Sequence, residues 1–139
     1  MPPPVSASWA LQKAVHVALT NAAALTALTG GVRVFDEVPR NATYPYVSHG
    51  ESIVRDWSTS ADEGHEHSIS IHVWSQGAGR KQAHDMLGII EQTLDSQALP
   101  LDGHRLITLR HEHSEVRRDS DGETWRGQLR LRATTEVII

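Results

Sequence analysis

His67-Ser-Ile-Ser-Ile-His-Val-Trp74 alternates apolar and polar side chains, and its reading decides the fold. Successive side chains on a strand point to opposite faces. Ile69, Ile71 and Val73 therefore share one face, and Ser68, Ser70, His72 and Trp74 share the other. This is the pattern of a half-buried strand with one face on a core.

Working outward, Gly77-Ala-Gly79 breaks that strand, and a helix follows over about 80–94 with Ala83, Met86, Leu87, Ile90 and Leu94 in one stripe. Two long strands are predicted at 104–117 and 123–137, joined by Asp119-Ser-Asp-Gly122, a turn whose Gly accepts positive φ. In the last strand Trp125, Leu129, Leu131 and Ala133 share a face, and Arg126, Gln128, Arg130 and Arg132 share its opposite. Toward the N-terminus, residues 46–54 read as a strand, 55–66 as a polar exposed connection, and 32–35 as a short strand. A single helix is predicted over 8–28 on the spacing of Leu11, Val15, Ala18, Leu19, Ala22 and Leu25, capped by Ser6 or Ser8 and stopped at Gly30-Gly31. Residues 1–6, rich in proline, read as a loose lead-in. The helices and strands do not alternate strictly. The expected architecture is therefore α+β, a mostly antiparallel sheet with two helices packed on one face, in one domain over 1–139.

The chain has 139 residues, 39% hydrophobic and 22% charged, which fits one globular domain. Thirteen Lys and Arg against seventeen Asp and Glu give a net charge of −4, which argues against a nucleic-acid coat or a polybasic membrane binder. There is no Cys, which removes disulfides, thiolate metal sites and Cys nucleophiles. Val15 to Leu28 is too short and too polar for a bilayer span. Met1-Pro-Pro-Pro lacks the basic opening of a signal peptide, so the expected site of synthesis and assembly is the cytoplasm.

Catalytic motifs are missing. There is no Gly-x-Ser-x-Gly elbow, and Gly77-Ala-Gly-Arg-Lys81 lacks the spacing of a phosphate loop. His65-Glu66-His67 and His111-Glu112-His113 are His-x-His pairs that could offer two imidazoles each to a metal from neighbouring strands. The more economical reading is half-exposed strand histidines, with no metal and no cofactor. Trp57, in a polar loop, and Trp74, on the polar face of its strand, are candidate interface anchors. The row Arg126, Arg130 and Arg132 is a candidate partner surface, and it could equally pair with Glu112 and Glu115 on the preceding strand.

Several strings occur in order: Val34-Phe-Asp-Glu-Val-Pro39, Tyr44-Pro-Tyr-Val47, Asp56-Trp57, Glu66-His-Ser-Ile-Ser-Ile-His-Val-Trp-Ser75, Gly79-Arg-Lys81, Leu101-Asp-Gly-His-Arg-Leu106 and Arg118-Asp-Ser-Asp-Gly122. Together, from about Ala10 to Glu136, they resemble the phage tail-completion proteins, also called tail terminators, of long-tailed phages, prophages and gene transfer agents. The resemblance implies a non-enzymatic virion protein. It implies a homohexameric ring that caps the head-proximal end of the tail tube and meets a head–tail connector or stopper protein. DNA would pass through the lumen without specific binding, and no membrane is involved. Six copies would carry about −24. The His-rich strands fall outside the family pattern. The competing expectations are a small metal-binding protein built on those histidines, or a generic oligomeric α+β binding module.

Overall fold

The computed structural model describes residues 5–77, 79–95 and 98–138. Lead-in residues 1–4 and residue 78 of the expected strand break lie outside the described residues. Among the described residues, three helices, α1 (Ala7–Thr20), α2 (Ala23–Thr29) and α3 (Gly79–Leu94), accompany six strands. The strands are β1 (Val34–Phe35), β2 (Tyr46–Asp56), β3 (Gly64–Gln76), β4 (Pro100–Leu101), β5 (His104–Arg118) and β6 (Thr124–Val137). They form one sheet in the order β1-β2-β3-β6-β5-β4. The class is α+β.

One sequence expectation is refined and another is corrected. The sheet is mixed, because β1 pairs with β2 in parallel through Val34↔Val47 and Phe35↔Ser48; every other pairing is antiparallel. The helix predicted over 8–28 is two helices. α1 ends at the C-cap Asn21, and Ala22 is extended at φ −78°, ψ 103°. The break re-aims the second segment, so that Leu25 is buried alongside Leu11, Val15 and Leu19. An apolar stripe of constant period cannot reveal a break that preserves its buried set. The Ser6 side chain caps α1 by accepting from the Trp9 N–H at 3.1 Å.

The core lies between the helices and the odd-numbered residues of β3 and β6. Ile69, Ile71, Val73, Leu129, Leu131 and Ala133 meet Leu11, Val15 and Leu19 of α1 and the α3 stripe Ala83, Met86, Leu87, Ile90 and Leu94. Gly127 sits beneath α3. A Cβ there would lie 2.5 Å from Val73 Cγ2 and 3.0 Å from Leu87 Cδ1, so the missing side chain is what lets the helix approach the sheet. The β5–β6 turn closes through the Gly122 N–H to the Asp119 carbonyl at 3.1 Å, with Gly122 at φ 73°. Register shifts interrupt β2 between His49 and Ser52, and β5 between Leu106 and Thr108 and between His111 and His113.

Candidate interaction surface

The even-numbered residues of β3 and β6 form the sheet's other face. Register aligns Ser68↔Arg132, Ser70↔Arg130, His72↔Gln128 and Trp74↔Arg126. Strand alternation thus collects four of the five candidate interface residues, Trp74, Arg126, Arg130 and Arg132, on one surface. Trp57 stands apart, in the loop after β2, and is 46% exposed; its backbone N–H donates to the Gly64 carbonyl at 3.0 Å.

Trp74 is half-buried. Tyr46 and His72 stack beside it, each with centroids 6.1 Å away, and the Arg126 guanidinium lies 5.9 Å from its centroid. Its indole N–H donates to Ser48 Oγ at 2.9 Å. Burial, then the nearby Arg126 guanidinium, hold the His72 imidazole below its usual range. Gln128 donates to Ser70 Oγ at 3.2 Å and Arg130 to Ser68 Oγ at 2.9 Å.

This face also carries Arg105, Arg110 and Arg117 of β5 and Arg55 at the end of β2. Arg55 opposes Glu66, Arg105 opposes Glu136, Arg110 opposes Arg132, and Arg117 opposes Arg126. Glu51 reaches Arg130 at 3.4 Å, and Glu112 reaches Arg132 at 3.9 Å. Glu115 pairs with Arg117 on its own strand. Seven arginines and five glutamates leave this face at +2, and the remaining six cations and twelve acids of the chain leave everything else at −6. Sequence reasoning found only three of these arginines. The alternation of β5 would have exposed Arg105, Arg110 and Arg117, but its two bulges shift the phase and hide it, and Arg55 fell in the stretch read as an exposed connection, where the structure extends β2 to Asp56.

The bulges also undo the paired-histidine metal idea. β6 lies between β3 and β5, so the two His-x-His segments are not on neighbouring strands. The irregularity between His111 and His113 aligns His111 with the core-facing Leu131 and His113 with Arg130 of the opposite face. His111 turns toward α3, 3.6 Å from Glu91. Among the described residues, no group of three or more His, Asp or Glu is placed to hold a metal ion. What does assemble is a different trio. The His65 ring lies 6.3 Å, centroid to centroid, from both His67 and His104. His67 is fully buried, with Nε2 2.9 Å from Thr135 Oγ1. Burial, with His65 and His104 beside it, pushes its pKa down to about 4. His104 Nε2 lies 2.8 Å from the Val5 carbonyl, tying the chain just before α1 to the start of β5.

The sheet margins are the other notable feature. β1 and β4 each pair over only two residues. Among the described residues, the outer sides of β2 from His49 and of β5 from Leu106 have no ladder partner. Exposed apolar residues lie at both: Ile53, Val54 and Trp57 by β2, and Ile107 at 43% exposure on β5. No described helix is long and apolar enough to cross a membrane.

A family model described as tail completion protein gp17 matches residues 13–136. The tail completion protein gp17 of Bacillus phage SPP1 is 27% identical over 128 residues, 92% of this chain and 93% of that one. A chain in the virion of a native gene transfer agent particle superposes with a TM-score of 0.86 at 32% identity, covering 95% of this chain and 99% of the other. The structure of bacteriophage SPP1 gp17 superposes with a TM-score of 0.58 at 24% identity, over 96% and 91% of the two chains, a likeness of fold.

Proposed function

This chain belongs to the family of tail completion protein gp17, and from that membership we propose that its copies close into a homohexameric ring at the head-proximal end of the tail tube. Its role is structural, in the tail of a phage or gene transfer agent particle. The ring would stop tube polymerisation and present a surface to the head–tail connector, without catalysis or cofactor. Residues 1–139 would act as one domain, with the helices as a single layer on the core face of the sheet.

The observation that carries the ring is the pair of unpartnered margins with apolar residues at each. β2 and β6 run one way, and β3 and β5 the other. The β5 margin of one copy laid against the β2 margin of the next therefore pairs antiparallel, as within the chain. Ile107 would then meet the neighbour's Ile53, Val54 and Trp57. This contact joins two different patches, so it is head-to-tail, and a suitable rotation closes it into a ring. The bulges and charges on both margins discourage indiscriminate edge pairing, which leaves a specific partner.

Light scattering of the full chain, alone and with tail tubes, tests this reading. Trp57→Ala and Ile107→Asp should leave the circular dichroism spectrum unchanged, reduce the hexamer fraction, and leave tubes of uncontrolled length. Hexamers unaffected by both substitutions would place the ring contact elsewhere.

A further inference from the structure

We propose that the outer face of the sheet is a contact surface for the phosphate backbone of duplex DNA, engaged by Arg110, Arg117, Arg126, Arg130 and Arg132. The charge segregation is the first argument. An acidic chain has placed a net +2 on this one face and −6 on the rest. The second is the register. Arg110 lies directly opposite Arg132, and Arg117 opposite Arg126; Glu112 and Glu115 offset one guanidinium of each pair, and the other, Arg110 or Arg126, still faces a like charge across the strands, which destabilises a sheet. A polyanion in front of them reverses the sign of that interaction. The third is the residue type. The chain has eleven Arg and two Lys, and the planar guanidinium fork matches phosphate oxygens. Arg130 and Arg132, two residues apart on one strand, are separated by about 6.6 Å along it, a periodic comb suited to a phosphate chain and not to a single anion.

The geometry selects duplex over single strand. Trp74 is the large aromatic of this face, but Tyr46, His72 and Arg126 already pack around its ring. It offers no open platform for an unpaired base. The contact is therefore to backbone and carries no sequence preference. A single copy presents the whole face, so the proposal does not depend on ring closure.

The test is fluorescence anisotropy of the full chain with a labelled duplex of about 30 base pairs, between 25 and 200 mM salt, with oligomeric state followed separately by light scattering. Weak binding with a slope of log K against log salt of about −4.5 is expected for five phosphate contacts. Arg132→Gln and Arg110→Gln should each reduce that slope by about 1, and Arg110→Gln, which relieves the like-charge pair without giving up an ion pair such as that of Arg132 with Glu112, should leave the melting temperature unchanged or higher. Lys81→Gln, at an exposed site on α3, should change neither. Absent binding at 25 mM salt, equal loss in Lys81→Gln, or a lowered melting temperature in Arg110→Gln would overturn the proposal. Tighter binding of poly-glutamate than of the duplex would also overturn it and assign the face to an acidic protein. A chain that binds DNA and stays monomeric even with tail tubes keeps this proposal and removes the ring, and a hexamer that ignores DNA does the reverse.

Discussion

At the scale of single residues, the histidines separate what sequence can and cannot carry. The His65/His67 pair is visible as a spacing, but its third member, His104, lies thirty-seven positions beyond His67 and joins it only through the sheet. His67 has a folded pKa of about 4, below the value near 6.5 of a free imidazole. The unfolded chain therefore takes up the proton first as pH falls. The stability linked to this residue is complete above about pH 6.5 and is lost progressively toward pH 4, amounting to about 2–3 kcal/mol. Thermal melts between pH 7 and 4.5 should show this decline, and His67→Gln should flatten it. A wild-type profile no steeper than the variant's would refute the assignment. Gly127 gives the second residue-scale test. Its place was readable as a strand glycine, though not its reason, since Val73 and Leu87 reach it from β3 and α3. Gly127→Ala should cost about 1–3 kcal/mol by overpacking, read as a lower midpoint in urea.

At the scale of elements, α3 was legible nearly residue by residue. Its five-residue stripe was predicted from spacing, and all five are buried. A polar outer face and a single apolar stripe leave one way to dock such a helix. Leu87→Ala and Ile90→Ala should each cost about 2–5 kcal/mol, and a neutral result at both in equilibrium unfolding would mean that α3 packs by another face. The N-terminal helices were less legible because Asn21 and Ala22 are ordinary helix residues, and the break between α1 and α2 answers to the packing of α2 against α3 and α1. β1 was found as a strand, but its parallel pairing with β2 depends on how the connection over 36–45 returns, which no local pattern encodes. On β5 the bulges defeated alternation, and with it the positions of Arg105, Arg110 and Arg117. Trp74→Ala belongs to this scale too. The indole bonds Ser48 and packs with Tyr46, so truncation should lower the melting temperature as well as disturb the outer face, whereas Trp57→Ala should affect assembly alone.

At the scale of the whole molecule, the ordered strings identified the family where composition could not, because a net charge of −4 hides its own distribution. The even face of the sheet is basic and the remainder acidic, a division that appears only once register is known. If the margins join copies as proposed, the assembled ring should come apart with the β-edge variants and tolerate salt, whereas DNA contact should fade with salt. Sedimentation of the ring between 50 and 500 mM salt checks the first half; dissociation by salt alone would show that charge, not the margins, holds it. The strand order has one more consequence. β6 lies between β3 and β5, so the two flanks of the sheet share no ladder of their own. During synthesis, β1 to β3 and the β4–β5 hairpin emerge first, each with a bare edge waiting for a strand still inside the ribosome. The sheet can close only after residue 137 has cleared the exit tunnel, because β6 is the strand that joins β3 to β5. The emergence of that strand sets the earliest moment at which a copy has a complete sheet.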